Sequence, residues 1–243
     1  MALQRLVAGA TLALSLMLSN FLYADATAND WVKAFIAQRN QVVDFEADVK
    51  TTIESAMFTE AQVQTGHLLQ KGNDYRKMIF LTPVETTTIS TPKEFISVDA
   101  LGNVSRSPND AGNAADWFSG TNPEAVFDQL DFTVIKESGD EVVLKGTPIA
   151  GGKDPGFSSI QARFGKKPVL LKNLELYSNK TKGLTMDLSY VTVKDLPVLQ
   201  KTMIKVDMQP PGAEQGISLK TTVENSKIQV NHNILASEFE VHK

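Results

Sequence analysis

The sequence predicts a mainly β domain built around a one-sided antiparallel sheet, and three observations carry that prediction. From Val43 the apolar or small residues Val43, Phe45, Ala47, Val49, Thr51 and Ile53 alternate with Asp44, Glu46, Asp48, Lys50, Thr52 and Glu54. A period of two is that of a strand with one face in water and one in a dry interior, and strands of this kind pair antiparallel. The alternation returns in Leu184, Met186, Leu188 and Tyr190, in Ile204, Val206 and Met208, in Ile217, Leu219, Thr221 and Val223, and in Ile228 and Val230. Turn-forming clusters at Lys71–Asp74, Leu101–Asn103, Ser138–Asp140 and Asn179–Gly183 punctuate the apolar runs.

The first two dozen residues stand apart. Arg5 gives one positive charge, an apolar run follows from Leu6 to Leu18, and Tyr23-Ala24-Asp25-Ala26 closes it with small residues. This is the pattern of a secretory signal, and the run is shorter than the roughly 20 apolar residues a spanning helix needs. Residues 1–24 are therefore expected to be a signal peptide, cleaved after Ala24 or Ala26, and 25–243 a single soluble domain in a bacterial periplasm. Losing Arg5 from 24 basic residues, against 28 acidic ones, takes the net charge of −4 to about −5. That balance argues against a nucleic-acid partner. The chain has no cysteine, so neither disulfides nor lipidation at a mature N-terminal Cys is available, and an ordinary apolar core must hold the domain, expected to be a monomer.

Along the mature chain the first element reads as a helix of about three turns, capped at Asn29 or Asp30, in which Trp31/Phe35 and Val32/Ile36 repeat at i, i+4. After the strand from Val43, shorter strands are predicted at Gly66–Gln70, Tyr75–Leu81, Val84–Ser90, Glu94–Val98, Phe132–Glu137, Glu141–Thr147, Ser159–Phe164 and Val169–Tyr177. Between Ser107 and Leu130 the alternation fails. There Trp117-Phe118 stands in a Gly/Asn/Ala/Asp-rich stretch, and Asn122-Pro123-Glu124 opens a short helix with Val126, Phe127 and Leu130 on its apolar face.

A long one-sided sheet must cover its apolar face, and two short helices are available. Either the sheet curls until its own side chains fill the interior, or an apolar cavity survives beneath the helices. Periodicity leaves both open.

The order of elements, together with Trp31–Phe35 leading into the strand at Val43, Gly66–Lys71, Tyr75–Met78, Pro83, Gln229–Asn231 and Phe239–Val241, resembles the bacterial periplasmic lipoprotein-carrier (LolA-type) and outer-membrane lipoprotein-sorting family. The resemblance spans roughly Asp30 to Val241. It implies a curved antiparallel sheet forming an incomplete barrel covered by short helices, whose hollow takes lipoprotein acyl chains handed from an inner-membrane releasing complex to an outer-membrane acceptor. The missing cysteine places the chain on the soluble carrier side, and its length favours the sorting-protein branch. In this frame Phe45, Val49, Ile53, Leu68, Phe80, Leu184, Met186, Leu188, Ile204, Val206 and Leu219 line the cavity. Trp31, Phe35, Trp117, Phe118, Val126, Phe127 and Leu130 form the cover. The typical carrier has Arg-Pro after its second strand to tie barrel to cover; here Lys71-Gly72 takes that place and the nearest arginine is Arg76. Lys71 and Arg76 are thus the candidate cover-tying residues, although a lysine lacks the planar fork of an arginine.

No chemistry-bearing motif competes with this reading. His67, His232 and His242 share no metal-ligand spacing, and there is no Gly-x-Ser-x-Gly elbow. Gly146 with Gly151-Gly152-Lys153 departs from a phosphate loop in spacing and is followed by Asp154 rather than Ser or Thr. The acidic residues of Asp44–Glu54 fall on the water side of their strand, as a solvated face. No catalytic residue, metal or cofactor is expected. The expected function is a lipid carrier that works by burial, and the alternative is a lipoprotein-sensing or interaction domain of the same fold.

Overall fold

The computed structural model of the chain describes residues 26–108, 126–151, 156–178, 181–208 and 217–241. The predicted signal peptide, Trp117, Phe118, the helix start at Asn122 and His242 lie outside these residues.

Helix α1 (Ala28–Arg39) opens the described chain. Its N-cap is Thr27 rather than Asn29 or Asp30, because the Asp30 carboxylate reaches back to accept the Thr27 N–H at 2.9 Å and its hydroxyl at 2.7 Å. Thirteen strands follow: β1 (Asp44–Ser55), β2 (Gln62–Lys71), β3 (Tyr75–Thr82), β4 (Thr86–Ser90), β5 (Glu94–Val98), β6 (Val104–Pro108), β7 (Leu130–Glu137), β8 (Glu141–Pro148), β9 (Ser159–Lys166), β10 (Val169–Ser178), β11 (Thr181–Val193), β12 (Leu196–Met208) and β13 (Ile217–Val230). They form one antiparallel sheet in the order β6-β5-β4-β3-β2-β1-β13-β12-β11-β10-β9-β8-β7. From β1 in the middle the chain meanders out to β6, resumes at β7 on the opposite edge, and meanders back until β13 closes on β1.

The curved sheet does not close, since β6 and β7 each have one neighbour. Each edge carries a feature that discourages pairing with a foreign strand: β6 ends in Pro108, and β7 shifts register between Val134 and Lys136.

The register carries the sequence alternation across the whole sheet. Leu219, Val206, Leu184, Leu176 and Ile160 oppose one another in turn from β13 to β9. Ile204, Met186, Leu174, Ala162 and Leu144 make the next row. Gly146 extends the first row without a side chain, and a Cβ there would fall 2.8 Å from Phe132 and 3.2 Å from Leu130.

Helix α1 lies across the β7–β10 half of this face. Trp31, fully buried, and Phe35 join Phe127, Leu130, Val142, Leu144, Ile160 and Phe164 in the main core, with the Phe35 and Phe164 rings 5.6 Å apart. Burying Trp31, Val32 and Phe35 contributes about 1.5–3 kcal/mol each, which fixes the helix to this half of the sheet.

The opposite face of the sheet is not wholly wet. Ile89 and Ile96, on the side of Lys77 and Leu69, are covered by Ile234 and Phe239 of the C-terminal segment, which includes a short 3-10 turn at Ala236–Phe239. This segment also overturns the sequence reading of Asp44 as a water-facing residue. Asp44 is only 4% exposed, and its carboxylate accepts the backbone N–H groups of His232 and Asn233 at 2.9 Å and of Ile234 at 3.2 Å.

Candidate functional site

Among the described residues, helix α1 covers only part of the apolar face. Beyond its edge Val49, Leu68 and Met78 form a separate apolar cluster on β1–β3, against which Phe45, Phe80 and Val223 pack. Between this cluster and the core under α1 lies a cavity of about 440 Å³. Its body is largely apolar, from Val49, Leu68, Met78, Leu174, Met186, Leu188, Val198 and Val223, with Phe35 and Phe127 at the helix side and with Tyr190, Thr202 and Asn225 as polar interruptions. Its other end lies where α1 stops, β1 begins and β2 turns into β3, and there the lining becomes polar with Gln38, Arg39, Asn40, Asp44, Gln70, Asn73 and Arg76.

Of the residues read from the sequence as lining, the structure brings Phe45, Val49, Leu68, Met186 and Leu188 to this space. Leu184 and Ile204 share their face but lie in the core under α1, with Val206 packed against that core. Ile53 and Leu219 lie further along the strands, opposite Thr221 and Val206 respectively, and Phe80 backs the β1–β3 cluster. Of the cover residues, Trp31, Val126 and Leu130 are buried away from the cavity, while Phe35 and Phe127 border it.

Lys71 does not reach the helix. Its Nζ donates to the Ile234 carbonyl at 2.6 Å and so holds the C-terminal segment. The tie between helix and strands comes instead from Arg39 in the last turn of α1, whose Nη1 donates to Asn73 Oδ1 in the β2–β3 turn at 2.8 Å. Arg76 lines the cavity from β3.

Sequence reasoning also missed Tyr190 and Asn225. Tyr190 donates its hydroxyl to the Leu171 carbonyl at 2.9 Å; burial pushes its phenol well above the usual range, while the Arg39 charge pulls the other way. Asn225 donates Nδ2 to the Leu199 carbonyl at 3.0 Å. Burial tends to raise Asp44, yet three backbone donors and His232 hold its carboxyl below the ordinary range.

On the opposite face His67 lies 3.0 Å from both Glu46 and Asp48, and His232 lies 3.2 Å from Glu46. Among the described residues no group of three His, Cys, Asp or Glu side chains is arranged to hold a metal ion.

No protein-family model and no characterised protein sequence matches the chain. Solved structures do match its architecture. A DUF1329 family protein from Desulfovibrio piger superposes with a TM-score of 0.66 at 13% identity, over 88% of this chain and 97% of that one. A LolA-superfamily protein from Nitrosomonas europaea gives 0.61 at 11% identity, covering 89% and 98%. The fold is LolA-like. A domain from Vibrio parahaemolyticus assigned to outer-membrane lipoprotein sorting has the same LolA-like architecture, with a TM-score of 0.61 at 15% identity over 87% and 97% of the two chains. At these identities the likeness is one of fold.

Proposed function

We propose that the protein is a lipid carrier of the periplasm, binding the acyl chain of a lipoprotein or other lipid in the cavity between α1 and the β1–β3 cluster and releasing it toward the outer membrane. The observation that carries this reading is the largely apolar cavity of about 440 Å³ between α1 and the β1–β3 cluster. A volume of this size falls within the roughly 300–1,000 Å³ of ligand pockets. The LolA-like fold, shared with a domain assigned to lipoprotein sorting, supports the same class of ligand. Each methylene taken from water contributes ~0.8 kcal/mol, so ten of them give about 8 kcal/mol before the cost of ordering the chain. No polar contact is needed for retention, and release needs only a partner or motion that reopens the mouth.

Native mass spectrometry of freshly purified mature protein tests this reading. The expected result is co-purifying lipid or lipopeptide that detergent strips away. Protein that is ligand-free and takes up neither fatty acid nor lipopeptide would sink the carrier function and promote the interaction-domain alternative. The periplasmic placement has its own check: mass-spectrometric sequencing of the exported protein should find Asp25 or Thr27 at the N-terminus, and an intact Met1 in the membrane fraction would overturn it.

A further inference from the structure

Among the described residues, Asp44 and Thr202 are the polar side chains that are buried. Asp44 has three backbone donors; Thr202 is 9% exposed and stands in the wall of the cavity. It lies on β12 between Leu188 of β11 and Val223 of β13, both apolar and both lining the same space. Its hydroxyl has no hydrogen-bond partner among the described residues. Valine has nearly the same shape, forms strands as readily and would bury no hydroxyl, so packing alone does not account for a threonine here.

Asn225, two residues along β13 from Val223, also lines the cavity. Its Nδ2 is committed to the Leu199 carbonyl at 3.0 Å, which turns the amide oxygen the other way. That Oδ1 is buried and has no hydrogen-bond partner among the described residues. Tyr190, the third polar side chain of the body, is satisfied by the Leu171 carbonyl. The wall thus holds one hydroxyl and one amide oxygen without partners, and buried polar groups of folded proteins are rarely left so. A ligand hydroxyl both accepts and donates, which suits this pair. The register gives its depth. Phe45 pairs with Val230 near the mouth, whereas Thr51 pairs with Val223, which in turn opposes Thr202. Six residues along β1 separate the two levels, roughly 20 Å at the ordinary rise of a strand. An amphiphile keeps its headgroup in water at the mouth, so the group that meets Thr202 sits well along the tail.

We propose that the acyl chain this cavity takes carries a hydroxyl remote from its headgroup, and that Thr202 is the specificity-determining residue that hydrogen-bonds it, with Asn225 Oδ1 as the second partner. This inference rests on the lipid-carrier reading and deepens it, since it names which acyl chains are preferred.

The test is calorimetric titration of the mature protein and of Thr202→Val and Thr202→Ser with four probes of equal chain length: stearate, 3-hydroxystearate, 10-hydroxystearate and 12-hydroxystearate. The wild type should bind at least one of the two mid-chain alcohols about fivefold or more tighter than stearate, as a hydrogen bond made in a buried site provides. The 3-hydroxy isomer, whose hydroxyl stays near the headgroup, should gain no such preference. Thr202→Val should abolish the mid-chain preference while binding stearate as tightly as the wild type or tighter, which also reports an intact cavity. Thr202→Ser, which keeps the hydroxyl, should retain the preference. Stearate bound as tightly as both mid-chain alcohols, an equal preference for 3-hydroxystearate, or a preference that survives Thr202→Val overturns the hydroxyl assignment and leaves the carrier reading standing. Failure of all four probes to bind overturns the carrier reading itself.

Discussion

Leu188→Glu is expected to abolish lipid retention while the protein stays folded. Leu188 sits in the middle of β11, opposite Thr202 on β12, and borders the cavity beside Met186. With the cavity empty, water can enter past Asn40 and Gly72, both exposed at the mouth, so an ionised carboxylate at position 188 keeps part of its hydration. An acyl chain would expel that water. The carboxylate must then be desolvated or neutralised, at a cost of several kcal/mol. Set against about 8 kcal/mol of gross gain from ten methylenes, this lowers affinity by at least about a hundredfold. The measurements are palmitate titration and native mass spectrometry, with thermal unfolding to show that the variant folds. Lys50→Ser, exposed on the other side of β1, is the control. Asp48 is unsuitable for that purpose, because it bonds His67 at 3.0 Å and Lys227 at 2.7 Å. Lipid retention unchanged in Leu188→Glu would mean that this cavity is not the lipid site.

The face on which Leu188 lies was legible because alternation needs only the strand itself. The parity read in β1 and β11 is the parity of the folded sheet, and the rows through Leu219, Val206 and Leu184 follow from it. What alternation cannot show is where the helix lands. Leu184 and Met186 are two residues apart on one face, yet the first packs only in the core and the second also borders the cavity. That boundary depends on the short connection from Arg39 to Asp44 and on β7 returning to the far edge. Strand β6 was invisible because all of Val104–Pro108 is exposed and no apolar period marks it. The first half of β12 was hidden by Pro197 near its start, and β13 was read as two strands because polar Glu224–Lys227 interrupts its apolar run.

The polar residues of the site were hidden for a different reason. Arg39 and Asn73 are 34 positions apart, and each alone is an ordinary helix-end or turn residue. Only the closure of α1 over the β2–β3 turn brings them together. The glycine at 66, part of the family resemblance, has a physical cause visible only in the sheet. A Cβ there would run into the Ile79 carbonyl oxygen, at the register shift where β2 bends against β3. The sequence therefore specifies which side chains face inward through local period, and the cavity and its charged mouth through long-range closure.

Asp44→Ala is expected to destabilise the protein by about 2–3 kcal/mol, the scale of hydrogen bonds to a charged acceptor whose loss leaves backbone donors unpaired. Three backbone N–H groups of the C-terminal segment depend on this carboxylate. The segment is held in a shape that needs such anchoring, because Asn231 and Asn233 have φ of 50° and 67°. The Asn231 side chain adds a second anchor, accepting the Val43 N–H at 2.7 Å and donating to the Gln41 carbonyl at 2.8 Å. Without Asp44, Ile234 and Phe239 lose the constraint that seats them on Ile89 and Ile96. The pH dependence follows from the lowered Asp44 pKa. A carboxyl whose folded pKa lies below its unfolded value of about 3.9 contributes its full stabilisation above that value and loses it as pH falls through the folded pKa. Urea unfolding should thus show a large gap between wild type and Asp44→Ala at neutral pH that narrows under strongly acidic conditions. Asp44→Asn, which keeps an acceptor oxygen without the charge, should fall between them. A gap below about 1 kcal/mol, the net worth of an ordinary hydrogen bond, or one that does not change with pH, would show that the C-terminal segment is seated by its apolar contacts alone.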